Sequence, residues 1–474
     1  MSMSNDHERY ARFELDASRA AAAIKDADDV LIVAHIDADG ISAAAIASRT
    51  LDRLGKPHDV TFLKKMDEAS ADYVNKSSAS LVWMVDLGSG YLSYLTRQGV
   101  VVADHHVPDP KWMAGQTSLF DFSGLVHVNP HCCGMDGSGE ISGAGVTYVI
   151  SKQIDPNNKD LAYLAIIGAT GDVQDHAHLR FTGYNRRILS DAADNGDITV
   201  DNDLRLFGRE TRPLTQFIQY CNDPVIPGLT SDGTGCSKFF TDLNIDLKDN
   251  GTWRAWNDLD DNEKDAVKIS LIEILERSGS SAERLMGEVC TLTGSKKRSE
   301  LRDAKEFATL LNSCGRYDDA PVGMRICLGD KNALSDAAKN RSEHKKQLSI
   351  AMNLIRQKNL VREREWVQYF HAHGEIRDTV VGIAAGMILG LDGVRNDKPM
   401  IAFANADDGV KVSARADKSL VIKGLDLSFA VKTAAEHVGG FGGGHNVAAG
   451  ATIPAGREYD FLHMIERIIA SQIT

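Results

Sequence analysis

The chain has 474 residues, 43% hydrophobic and 25% charged, with a formal net charge of −13. That is globular composition, long enough for two or three domains. It holds no apolar run of the roughly eighteen residues that a membrane helix needs. Its acidity weighs against an extended basic nucleic-acid surface but leaves room for local patches that bind phosphates. Seven cysteines without a framework spacing, and a polar start lacking a signal-peptide core, point to a reducing, cytoplasmic setting.

Residues 1–28 read as a polar lead-in with a helix over Asp16–Lys25. Val30 to Ala34 is a short apolar run that reads as a buried strand. It leads into His35, Asp37, Asp39 and Gly40, and an Ala- and Ile-rich helical stretch follows from Ile41 to Leu54. Strand, polar turn and helix make the first half of a βαβ unit, whose chemistry sits at the carboxyl end of the strand. If the backbone stays extended, His35, Asp37 and Asp39 face one way. Two carboxylates about 4 Å apart repel by roughly 4 kcal/mol at an effective dielectric of about 20, which calls for a cation. The alternative is a helix N-cap, with Asp39 satisfying amides and Asp37 merely exposed.

Strand-like stretches at His58–Lys64, Leu81–Asp86, Val100–Asp104 and Leu125–Val128 alternate with helical ones, which predicts a parallel, doubly wound sheet. Ser142–Ala169 reads as two helices broken at Asp155-Pro-Asn-Asn158. Residues 181–300 show helical pieces between polar turns and no catalytic constellation, the pattern of a largely helical insert. Trp253 and Trp256 suit its core better than a ligand platform. A helix from Arg302 is expected to stop at Asn312-Ser-Cys-Gly315, and Lys331–Asn359 reads as one long helix. Between Lys331 and Arg364 there are nine Lys or Arg against three acids, either a solvated face or a contact to a phosphate backbone. Alternation resumes through strands Glu365–His371, Met400–Asn405, Gly409–Ala414 and Val447–Ile453 and helices Asp378–Leu389, Leu427–His437 and Tyr459–Ser471. A glycine-rich loop is expected at Gly439–His445. The expected domains are 1–180, doubly wound; 181–300, the insert; and 301–474, a smaller α/β domain.

Four element ends in the first domain carry acid: Asp37 with Asp39, Asp86, Asp104 and Asp172. With His35, His105 and His106 they supply enough ligands for two divalent ions. Oxygen and imidazole donors suit Mn²⁺ first, Mg²⁺ as the harder-ligand option, and Zn²⁺ as a further one. Two ions about 4 Å apart clamp the attacking and leaving oxygens of a phosphoryl-type displacement. In the last domain, Gly442, Gly443 and Gly444 can bring backbone amides to an anion, His445 adds a donor, and Arg415 can grip a phosphate bidentately. His127, His131, Cys132 and Cys133 lie close together without a usual zinc spacing and read as a packed loop. His371 and His373 share a strand face, more as a surface or core pair than a third metal site. Asp175 and His176 fit either a supporting role behind Asp172 or a helix start.

His-x-Asp-x-Asp-Gly at 35–40, Asp-x-Gly at 86–88, Asp-His-His at 104–106 and Gly-x-x-Gly-Asp at 168–172, in this order, resemble the four motifs of the DHH phosphoesterase family. Phe441-Gly-Gly-Gly-His445, with Ser413 and Arg415 upstream, resembles the DHH-associated domain. The pattern covers roughly 29–175 and 300–474 and, with Phe307–Arg316, is most similar to RecJ-like single-strand nucleases of the archaeal type. The resemblance implies that His35, Asp37 and Asp86 hold one ion and that Asp39, Asp86, His105 and Asp172 hold the second. It implies Asp104 as a ligand or as the group orienting His105, and His106 on the scissile phosphate. Ser413, Arg415, Gly442–Gly444, His445, Asn312 and Arg316 would bind substrate phosphates. The activity implied is metal-dependent hydrolysis of single-stranded DNA or RNA from an end, in replication or repair. The alternatives are a phosphodiesterase of short oligonucleotides or cyclic dinucleotides, and a replisome scaffold binding the GINS complex and the helicase.

Overall fold

The computed structural model describes residues 3–113, 124–389 and 394–473. The chain divides into two compact units, Met1–Ala337 and Ala338–Thr474.

The first unit opens with α1 (Met3–Asp26), which starts well before the expected Asp16. It continues through β1 (Val30–His35), α2 (Ala38–Leu54), β2 (His58–Leu63), α3 (Glu68–Asn75), β3 (Leu81–Val85), β4 (Val100–Ala103), α4 (Pro110–Met113) and β5 (Leu125–Val128). Helices α5 (Gly143–Ile154), α6 (Ala162–Gly171) and α7 (Gly183–Asp194) follow. The five strands are parallel, in the order β2-β1-β3-β4-β5. This is the expected doubly wound α/β sheet. Alternation along β1 puts Ile32 and Ala34 in the core with α2, α5 and α6, and Leu31 and Val33 in a smaller core with Ala71 and Val74 of α3. Both faces are therefore covered, which is why its strands read as continuous apolar runs. The order reverses between β1 and β3, and such a switch point opens the crevice where ligands bind in these sheets.

The expected insert is not helical throughout. Its ends are drawn together by an antiparallel ribbon of β6 (Ile198–Leu204) and β9 (Met286–Leu292). Between them lie α8 (Leu214–Gln219), α9 (Gly233–Asp242), the short pair β7 (Lys248–Asp249) and β8 (Thr252–Trp253), and α10 (Asp261–Arg277). This part has its own core, in which Trp256 is fully buried and stacks on Phe217, while Trp253 is half exposed.

Helix α11 (Ala304–Arg316) does not stop at Asn312 but runs through Gly315. It and α12 (Ala320–Cys327) were expected in the last domain. They pack instead on α2 and α6 through Phe307, Leu310 and Leu311, which moves the division of the chain from 300/301 to 337/338. Helix α13 (Ala333–Gln357) is the expected long basic helix.

The second unit is one mixed sheet in the order β10-β11-β12-β13-β15-β14. Its elements are β10 (Arg362–Glu363), β11 (Gln368–His371), α14 (Asp378–Ile388), β12 (Met400–Ala406), β13 (Gly409–Arg415), α15 (Lys418–Ile422), α16 (Leu427–His437), β14 (Phe441–His445), β15 (Ala448–Ile453) and α17 (Glu458–Ile473). The glycine-rich stretch expected as a loop is thus the edge strand β14, paired along its length with β15. Helices α16 and α17 pack with Val412, Ala414 and Ala449 on one face, and α14 packs with Met400, Ala402 and Ala404 on the other. No described helix is long and apolar enough to cross a membrane.

Candidate metal centre

The acidic element ends of the first unit meet at the carboxyl edge of its sheet. His35 closes β1, Asp37 is the N-cap of α2 and Asp39 lies in its first turn. The three therefore do not alternate along one extended strand, as the spacing suggested; the helix carries Asp39 round to the same side. Asp37 does both jobs that the sequence left open. Its Oδ1 accepts from the Gly40 N–H at 3.0 Å, and its Oδ2 lies 2.9 Å from His35 Nδ1. Asp39 is buried and accepts from the Gly143 and Ala144 amides at 2.6 and 3.0 Å, capping α5. Asp86 follows β3 at φ +60°, a region that few residues other than glycine adopt.

Three sets of ligand atoms converge: His35, Asp37 and Asp86; Asp39, His105 and Asp172; and Asp86, Asp104, His105 and His106. Asp86, 1% exposed, lies 3.5 Å from His35 Nδ1 and 3.3 Å from His105 Nε2. Asp172 Oδ2 lies 3.2 Å from the same His105 nitrogen. Glycines let the helices come this close: a Cβ at Gly143 would fall 2.4 Å from Asp86 Oδ1, and one at Gly168 2.3 Å from Asp39 Oδ1.

The donor set fits divalent ions. Among the described residues, His35 Nδ1, His105 Nε2 and both Asp86 oxygens are buried without a well-aligned hydrogen bond. Such groups are costly to leave unpaired, and here they point at one another. The acidities show the same crowding. Burial, then the Asp86 charge, raises Asp39 well above the usual carboxylate range and lifts Asp172 to about 7. Against burial, the Asp37 and Asp86 carboxylates raise His35 to about 11, and the neighbouring imidazoles hold Asp86 well below its ordinary value. Protons thus balance the cluster where a cation would do so better.

A pH dependence follows. Asp172 titrates higher folded than unfolded, so its ionisation costs the fold nothing below about pH 4 and its full amount above about pH 7. The raised His35 has the same sign: its contribution is complete below about pH 6.5 and lost as pH climbs towards 11. Buried His127, held down to about 4, gains stability up to about pH 6.5, but Asp172 and His35 together lose more between pH 5 and pH 8, so the metal-free chain should melt at a lower temperature at pH 8, and Mn²⁺ should restore the loss. Calorimetry at the two pH values checks this; a metal-free midpoint that rises with pH contradicts it.

Asp104 is turned inward. Its Oδ2 accepts from the Ser89 amide at 2.8 Å; its Oδ1 accepts from the His105 amide at 2.8 Å, the His106 amide at 3.2 Å and His106 Nδ1 at 2.8 Å. Opposed by burial but bonded to His106, it is held down at about 2. In this arrangement Asp104 orients His106, whose side chain is 56% exposed and whose Nε2 has no partner among the described residues. Behind it, Asn129 Nδ2 donates to Ser89 Oγ and to the His106 carbonyl, both at 2.9 Å, and His127 Nε2 lies 2.9 Å from Ser89 Oγ. His127 and Cys132 belong to this packed turn, and no metal-ligating set among the described residues includes them. Asp175 forms a buried ion pair with Arg205, and His176 bonds to Arg284, both tying the turn after Asp172 to the insert. Ser89, Asn129 and Gln174 carried no signal in the sequence, because polar residues in turns are ordinary.

Asn312 makes a contact inside the first unit: its Oδ1 accepts from the Ala38 N–H at 2.9 Å and steadies the turn between His35 and Asp39. Arg316, at the end of α11, is exposed. In the second unit, Ser413 and Arg415 alternate on β13 and share a face. Ser413 is in register with Gly450, and Gly450 with Gly443; Arg415 is in register with Ala448, and Ala448 with His445. Gly442 and Gly444 turn to the face under α16, so of the three glycines Gly443 is the one beside Ser413. Helix α14 lies over Ser413, which is buried, and over Arg415, a Cβ at its Gly382 falling 2.9 Å from Ser413 Oγ, whereas nothing lies within 4 Å of a Cβ placed at Gly443. Arg415 is partly buried, which lowers its pKa. The side chain of His445 lies outside the described residues. His371 and His373 stack with ring centroids 4.0 Å apart. If this face binds phosphates, as the resemblance implies, Gly443→Leu should fold with an unchanged melting temperature yet weaken binding of a phosphate-backbone ligand such as an oligonucleotide about tenfold, or roughly 1.4 kcal/mol. Fluorescence anisotropy checks this, and unchanged binding removes that face from the account.

The first unit matches the DHH family N-terminal domain over residues 29–169 and the DHH-CID domain over 206–288, and the second unit matches the DHHA1 domain over 366–471. The chain belongs to the DHH superfamily. Members of this superfamily are metal-dependent phosphoesterases. This DHH protein is 29% identical over 449 residues to an uncharacterized protein of Methanocaldococcus jannaschii, covering 94% of each. Its fold resembles CDC45 from Entamoeba histolytica, with a TM-score of 0.59 at 13% identity over 98% of this chain and 99% of that one. It also resembles RecJ from Thermus thermophilus in complex with Mn²⁺, with a TM-score of 0.54 at 17% identity over 97% of this chain. The chain spans 55% of the length of that RecJ.

Proposed function

We propose that this DHH protein hydrolyses phosphodiester bonds of single-stranded DNA, and of RNA, from an end, releasing nucleoside monophosphates in replication or repair in the cytoplasm. The observation that carries the reading is the pair of ligand sets joined at Asp86: His35 with Asp37 on one side, Asp39 with His105 and Asp172 on the other. Two divalent ions held there, Mn²⁺ before Mg²⁺, would supply Lewis-acid stabilisation of the reacting phosphoryl oxygens. His106, oriented by Asp104, offers its free Nε2 to a phosphate oxygen. Arg415, Ser413 and the open glycine face bind backbone phosphates in the second unit, and the exposed Arg316 adds a cation in the first. The likeness of fold to CDC45 favours a second role in docking on replication proteins such as GINS, through the DHH-CID segment.

A series of end-labelled oligonucleotides, from dinucleotides to long single strands, tests the substrate class. Stepwise shortening of the long strands in Mn²⁺ is expected. Cleavage confined to dimers, trimers or cyclic dinucleotides contradicts it and assigns the site to short substrates.

A further inference from the structure

His105 must present Nε2 to the carboxylates, and a buried chain of amides fixes how it does so. Its Nδ1–H donates to the Gly137 carbonyl at 2.7 Å. A carbonyl can only accept, so the neutral ring keeps its proton on Nδ1 and aims the Nε2 lone pair at Asp172 and Asp86. The same carbonyl takes a second hydrogen bond, 2.9 Å from Gln174 Nε2. Gln174 Oε1 accepts from Asn185 Nδ2 at 2.7 Å, and the Asn185 N–H donates to the Glu140 carbonyl at 2.7 Å. Because Gly137 is an obligate acceptor, the orientation of each amide along the chain is forced. Gln174 is 4% exposed and Asn185 is fully buried, so solvent does not compete.

The backbone is bent to bring Gln174 there. Helix α6 ends with the Val173 N–H on the Thr170 carbonyl and the Gln174 N–H on the Ala169 carbonyl, while Val173 takes φ +59°. Glycine is the usual residue in such a helix end, and a β-branched residue is strained there. The bend sends Asp172 to the cluster and Gln174 inward, two residues apart.

We propose that Gln174, braced by Asn185, is a positioning residue of the metal centre. It holds the Gly137 carbonyl where that carbonyl fixes the tautomer and tilt of His105. It thereby sets the affinity of the ion bound by Asp39, His105 and Asp172 without touching that ion. The assignment rests on the two-ion reading of the cluster.

Mn²⁺ titration of the full chain, by calorimetry with free Mn²⁺ read by electron paramagnetic resonance, tests it on the wild type, Gln174→Met and Asn185→Ala. Methionine keeps the side-chain length and removes the donor. The wild type should take up two ions. Gln174→Met should bind one of them as the wild type does and the other about 10-fold more weakly, the low end of the cost of losing a ligating histidine's own partner, because the Gly137 carbonyl remains. Asn185→Ala should weaken the same ion by less. Nitrogen NMR of the Mg²⁺-loaded protein should show a protected His105 Nδ1–H in the wild type and a fast-exchanging one in either variant; should Gln174→Met fail to fold, Asn185→Ala carries both readouts. Wild-type affinity for both ions in the folded variants overturns the assignment. So does an equal loss at both ions with a lowered melting temperature, which is what a merely structural glutamine would give. A wild type that binds no Mn²⁺ overturns the two-ion reading itself and this assignment with it.

Discussion

Asp86→Asn lowers Mn²⁺-dependent phosphodiester cleavage by at least about 10³-fold, the several kcal/mol that Lewis-acid stabilisation supplies. Asp86 is the carboxylate shared by the two imidazole-bearing sides of the cluster, so on the two-ion proposal its loss should weaken both ions at once. Asparagine keeps the shape and tolerates the positive φ at this position, so the fold should survive. Removing the Asp86 charge relieves Asp39 and Asp172 but takes from His35 and His105 the carboxylate that keeps them charged, so the metal-free melting temperature should not rise. The check is kinetic and thermodynamic together. Cleavage and Mn²⁺ uptake should fall in a variant that still unfolds in a single cooperative transition. Substantial activity in this variant would remove Asp86 from its shared position.

His106→Ala separates positioning of the phosphate from metal binding. The imidazole is the exposed member of the cluster, anchored through Nδ1 to Asp104, with no partner for Nε2 among the described residues. A donor aimed at charge that develops in the transition state is worth about 10²- to 10³-fold in kcat. We expect a loss of that size with Mn²⁺ affinity within a few-fold of wild type. Asp104→Asn should reproduce part of it, because the amide orients the ring less firmly than the carboxylate does. Loss of Mn²⁺ binding in His106→Ala would instead make this residue a ligand.

Much of the centre was legible in the sequence because each acid stands at the end of an apolar strand or at a helix end, and parallel sheets gather such ends on one edge. Asp37, Asp86 and His105 follow that rule directly. Asp39 did not obey the simple alternation, because α2 begins immediately after Asp37 and the helix sets its direction. The glycine run near the end read as a loop because glycine is depleted from strands; pairing with β15 outweighs that preference, and the register with Ser413 and Arg415 explains the small residues. Where α11 belongs was not legible either, since its apolar face fits any α/β core and packing on α2 and α6 decides. Likewise, a glutamine two residues beyond Asp172 looks like surface until the bend at Val173 buries it.

The most direct test of the central reading is digestion of single-stranded DNA and RNA, each labelled at one end, in Mn²⁺, with the wild type beside Asp37→Ala and Asp86→Asn. The account predicts stepwise shortening by the wild type, no shortening by either variant, and a polarity read from which label survives. Intact polymer with the wild type, or equal digestion by all three proteins, would contradict it.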